Sequence, residues 1–190
     1  MDAPLTDKGR NEAAAVRVKA RNFQNPPELV VTSPLCRAVQ TAIIAFSDHL
    51  PQNINDDNRK GNSKKKNNAT IPFVAHDLAR EDHGVHICDK RRPRSQQGAE
   101  FPQVDFTMVK SEEDDLFRND QRESADEVCE RIYQFLEWLR DRSEENIAVT
   151  THSGWLMSLF NGVLECDESL KVWFGTGEMR SVKLVFQTLN

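Results

Sequence analysis

Three side chains in this sequence combine a reactive group with surroundings that suit chemistry. They are Arg37 in VTSPLCRAVQTA (31–42), Glu81 in LAREDHGVHICDKRR (78–92) and His152 in NIAVTTHSGWLMSLFNGVL (146–164). A planar guanidinium offers paired donors to phosphate oxygens, so Arg37 suggests a phosphate site. A carboxyl of tuned pKa such as Glu81 can donate a proton. An imidazole followed by Ser153 and Gly154 has neighbours small enough for a ligand to approach the backbone. Each has a plainer reading: a surface arginine paired with a carboxylate, an ordinary loop acid, a satisfied structural histidine.

The elements around these residues decide how much weight they carry. The β-branched and apolar run 28–31 follows Pro26 and Pro27 and reads as a strand, ended by Ser33 and Pro34. From Leu35 the spacing turns helical, with Leu35, Ala38, Val39, Ala42, Ile43 and Phe46 on one face. Arg37 therefore falls in the first turn of a helix at the carboxyl end of a strand, where open α/β sheets bind ligands and free backbone N–H groups suit an anion. The segment 146–164 repeats that layout, with a strand over 147–151, then His152, Ser153 and Gly154, then an apolar helix. Thr6 is placed to cap a first helix from Asp7 towards Phe23, with Ala13, Val16 and Ala20 on one face. Ser124 and Glu127 form a capping box before the apolar stripe Val128, Ile132, Phe135, Leu136 and Leu139. Trp138 and Trp173 read as core.

Other features carry less. His83, His86, Cys88 and Asp89 fit no standard zinc spacing. The run Lys90–Arg94 reads as solvated charge, with substrate cations as the alternative, and 111–115 (SEEDD) reads as a solvated acidic loop. The Asn-rich stretch 52–68 is expected to be a disordered insertion within one domain covering 1–190. A net charge of −5 argues against nonspecific nucleic-acid binding. Four cysteines without close pairing and no visible signal peptide or membrane span fit a cytoplasmic setting, with nuclear as the alternative; Cys36 reads as packing.

Four segments in order then resemble the histidine phosphatase superfamily, the phosphoglycerate mutase-like proteins. PLTDKGRNEAA (4–14) is similar to the family's first such landmark, with Glu12 where glutamine is usual, and SPLCRAVQTA (33–42) to the second. LARED (78–82) stands at the proton-donor glutamate and VTTHSG (149–154) at the second catalytic histidine. The resemblance implies an α/β three-layer sandwich with a mostly parallel sheet, and GEMRSVKLVF (177–186) as a closing strand. It implies Glu81 and His152 as catalytic groups and Arg37 and Ser153 on the substrate phosphate, with no cofactor and no metal. Its substrates would be phosphorylated small molecules or phosphoproteins.

The family's RHG segment, with the nucleophilic histidine, does not occur among the 190 residues. His49, His76, His83 and His86 are not expected at strand ends of the kind that would replace it. The resemblance further implies a lost first strand, expected to lie centrally between the strands of Arg37 and His152. Each lost ladder bond is worth on the order of 1 kcal/mol net against a total of ~5–15 kcal/mol. The expected activity is phosphomonoester hydrolysis or transfer through phosphohistidine in intact relatives. This chain is expected to be an inactive fragment or a non-catalytic phosphate-binding module.

Overall fold

The computed structural model describes residues 1–50 and 71–187, so the stretch 52–68 lies outside the described residues. The first helix, α1 (Asp7–Ala20), is capped by Thr6, whose Oγ1 accepts from the Gly9 N–H at 3.2 Å, and it buries Ala13, Val16 and Ala20. It ends short of Phe23 in a turn. Strand β1 (Leu29–Thr32) is buried throughout and leads through Ser33 and Pro34 into α2 (Cys36–Ala45). Then follow β2 (Phe73–His76), α3 (Arg94–Glu100), β3 (Asp105–Met108), α4 (Ala125–Arg140) and β4 (Ile147–Thr150). Last is α5 (Ser153–Ser158), which runs on into a π-helical turn at Leu159–Val163.

The sheet is parallel with strand order β3-β2-β1-β4. Period-two alternation gives β1 and β2 two buried faces, as a parallel sheet covered on both sides requires, while edge strand β3 exposes Asp105 and Thr107. Val30, Phe73, Ala75 and Ala148 pack beneath α1 and α2, while Leu29, Val31, Val74 and Ile147 pack beneath α4 and α5. The result is the expected three-layer α/β arrangement. The capping box of α4 forms as expected, with Ser124 Oγ accepting from the Glu127 N–H and Glu127 Oε2 accepting from the Ser124 N–H. Among the described residues no helix is long and apolar enough to cross a membrane.

β1 and β4, the strands expected to flank the lost one, pair directly, from Leu29 with Ile147 to Thr32 with Thr150. Other expectations are corrected here. The segment 177–186 is not a strand. Met179 packs against one core and Leu184 against the other, while Val182, Val185 and Phe186 stay exposed; among the described residues no neighbouring strand supplies a ladder. Trp173 is not core but 61% exposed.

The two charged runs are not simply solvated. Arg91 is buried, and its guanidinium donates to the carbonyls of Ser111, Arg92, Glu112 and Glu113. Asp114, also buried, faces Arg80. Loop carbonyls and a buried carboxylate thus absorb the cations that composition alone would send to water.

Candidate functional site

The register of the sheet sets the site. Because Thr32 pairs with Thr150, and Ser33 N–H donates to the Thr150 carbonyl at 2.9 Å, the chain leaves β1 and β4 side by side. His152 follows β4 at once. Its Nε2 lies 2.9 Å from Ser33 Oγ, and the ring is buried. Burial, and after it the positive charges of Arg37, Arg131 and Arg80, push its pKa well below the usual value, so the imidazole is neutral at pH 7.

Arg37 stands in the first turn of α2, as its sequence context predicts. Its Nη2 donates to Asp89 Oδ1 at 2.8 Å and its Nη1 to the Cys88 carbonyl at 3.0 Å. The plainer reading, an arginine paired with a carboxylate, therefore describes its state here. The pairing is incomplete: two of five donors are used and the side chain is 27% exposed. The turn beneath it is anchored by Asp2, whose buried carboxylate accepts from the Cys36 N–H at 2.7 Å. Burial, with the Asp2 charge, pushes the Cys36 thiol up to about 11, consistent with a packing role.

Glu81 reaches the same place from the loop after β2. Its Oε1 accepts from the Trp155 N–H at 3.1 Å and its Oε2 from the Gly154 N–H at 3.4 Å, in the turn directly after His152. A Cβ at Gly154 would come within 2.5 Å of Glu81 Oε1, so a larger residue there would push the Glu81 carboxylate aside. Burial raises the Glu81 pKa, and the neighbouring Asp82 adds to it, while the backbone N–H groups oppose. The effect is a carboxyl easier to protonate than an exposed one. Ser153, half-buried, opens α5 between His152 and Gly154.

The loop carrying Glu81 is held from below by residues that pattern reading missed. Arg131 donates from Nε and Nη2 to both oxygens of Glu123 at 2.8 and 2.7 Å, and from Nη1 to the carbonyls of Leu78 and Arg80. Arg80 forms a two-point pair with Asp114 at 2.6 and 2.7 Å and donates to the Asp89 carbonyl. A signal existed for Arg131, which stands on the buried face of α4 between Val128 and Ile132. An arginine in an apolar stripe must find buried partners.

His83, His86, Cys88 and Asp89 do not converge on a common point. His83 faces Glu123 at 3.3 Å, Asp89 holds Arg37, and His86 and Cys88 are exposed. Among the described residues no group of three or more ligating side chains is placed to hold a metal ion. One histidine expectation is corrected: His76 does end a strand, β2. It is nevertheless packed between Phe135 and Trp138, its Nδ1 accepts from the Leu78 N–H, and burial, then Lys110, lowers its pKa to about 4.

The model of the histidine phosphatase superfamily (branch 1) matches residues 1–59 and 92–187. That span includes Arg37 and His152 but not Glu81, so Glu81 rests on geometry. Phosphoglycerate mutase-like protein 1 of Arabidopsis thaliana is 35% identical over 206 aligned positions, covering 99% of this chain and 72% of that protein. A second Arabidopsis phosphoglycerate mutase-like protein is 34% identical, covering 97% of this chain and 73% of its own length. Among solved structures, a candidate alpha-ribazole-5'-P phosphatase from Escherichia coli superposes with a TM-score of 0.54 at 20% identity, over 93% of this chain and 77% of that one. That likeness shows the fold.

Proposed function

The chain belongs to the histidine phosphatase superfamily, and from that premise we propose that the cluster at the ends of β1 and β4 binds a phosphomonoester. Arg37 and the Ser153 hydroxyl hold the phosphoryl oxygens. His152 faces the same group and gains a proton more readily once a dianion is beside it. Glu81, a carboxyl of raised pKa, faces the ester oxygen, the place of the proton donor in relatives that carry the nucleophile. The observation that carries this reading is the convergence, on two adjacent strand ends, of an arginine with unused donors, a buried neutral histidine and a carboxyl of raised pKa.

Covalent transfer through these groups needs a histidine that attacks phosphorus in line. The 190 residues contain no Arg-His-Gly triplet, and His76 and His83 are buried against other partners. We therefore read this chain as one that binds a phosphorylated small molecule or phosphoprotein without forming phosphohistidine. Its free cysteines suit a reducing compartment, cytoplasmic or nuclear. The test is incubation with a phosphomonoester labelled at phosphorus, followed by an alkaline quench that preserves phosphohistidine. The expected result is no label on the chain; label recovered on His152 refutes the proposal.

A further inference from the structure

A second arginine shares the carboxylate that holds Arg37. Asp89 is buried, with Oδ1 accepting from Arg37 and Oδ2 accepting from Arg122 Nη1 at 3.4 Å. Arg122 also donates from Nη1 to the Gly84 carbonyl at 3.4 Å, and its Nη2 lies 4.0 Å from Asp82 Oδ2, next in sequence to Glu81. Asp89 and Asp82 together match the two guanidinium charges, so what the pair offers an anion is its unused donors. Both side chains remain partly open, 27% for Arg37 and 35% for Arg122, so donors are left over on each.

The backbone around Arg122 is built with unusual closeness. The 118–123 loop zips onto 83–85: the Val85 N–H donates to the Arg118 carbonyl at 2.9 Å and the Glu123 N–H to the His83 carbonyl at 2.8 Å. At Gly84, whose φ is +96°, a Cβ would lie 2.1 Å from the Gln121 carbonyl oxygen. Val85 follows with φ +62°, a left-handed conformation that a β-branched residue rarely adopts. Strain of this kind persists only where the surroundings enforce it. Here it fixes the strand of loop that carries Arg122 over Asp82 and Asp89.

We infer that Arg122 is a further phosphate-binding residue of this site, and that Asp89 holds Arg37 and Arg122 as a matched pair across which one anion is shared. The inference rests on the reading of Arg37 as a phosphate ligand. Arg122 approaches from the Glu81 and Asp82 side, so it serves oxygens on the side where the leaving group departs. Asp89 is a positioning residue, acting through the two arginines.

The experiment is calorimetric titration of the full chain with inorganic phosphate at low ionic strength, with Arg37→Ala, Arg122→Ala and Arg122→Lys alongside. Charge-assisted contacts to an anion predict about tenfold weaker binding for Arg122→Ala and partial recovery for Arg122→Lys, which keeps the charge without the fork. Arg122 is on a surface loop, and a thermal melt of each variant confirms folding. Loss in Arg37→Ala with native affinity in Arg122→Ala overturns the inference and leaves the phosphate site standing. Native affinity in Arg37→Ala, or no phosphate binding by the unmodified chain, overturns both.

Discussion

Two pairs of arginines hold the loop from Leu78 to Arg92, one of them, Arg80, from within it, and the pairs differ in how open they stay. Arg80 and Arg131 are closed: their side chains are 1% and 8% exposed, each clasps one carboxylate with two nitrogens, and each ties down carbonyls of the same loop. Arg37 and Arg122 are open, share a single carboxylate, and keep donors facing solvent. The lesson is that charge alone does not mark a ligand site. Closed pairs hold the fold and open pairs are available to an anion.

The strongest way to break this contrast is to remove a closed partner. Arg80→Ala leaves the buried Asp114 with only the Arg91 N–H, and Arg131→Ala leaves Glu123 with only His83; each should cost about 3–5 kcal/mol, read as a fall in the urea midpoint. A loss near that of an exposed pair, below about 1 kcal/mol, would remove the distinction.

A smaller effect comes from pH. Burial holds His76 and His83 at about 4, so the unfolded chain, with histidines near the usual 6.5, binds more protons below that pH. Stability is therefore whole above pH 6.5 and falls as pH drops towards 4, with a ceiling of about 3 kcal/mol from His76. The raised carboxyls Asp77, Glu81 and Asp82 act in the opposite sense and offset part of this fall. Urea melts at pH 7.5 and 5 should show the midpoint dropping, and His76→Phe should shrink the drop. An unchanged midpoint contradicts the buried neutral histidines.

The same contrast explains what the sequence made legible. Arg37, His152 and the two strand-to-helix turns follow from local pattern, because strand ends and helix starts are written in short-range spacing. The capping box before α4 is local too. The register of β1 on β4, which pair across 118 positions, is not. The fates of Arg91, Arg92 and Asp114 depend on partners about 20 to 90 residues away, so one buried residue in each charged run, Arg91 and Asp114, is out of reach of local pattern. Arg122 offers no periodic signal at all. Only the close approach at Gly84 brings it to Asp89.

The central claim, that the open pair is an anion site and the closed pair is structure, is tested most directly by thermal melts of the chain and of Arg37→Ala, each with and without saturating inorganic phosphate. The account predicts that phosphate raises the native melting temperature. It predicts that Arg37→Ala, which leaves the buried Asp89 still facing Arg122, loses less stability than Arg80→Ala without phosphate, and gains nothing when phosphate is added. A native chain indifferent to phosphate, or an Arg37→Ala chain stabilised as much as the native one, would contradict it.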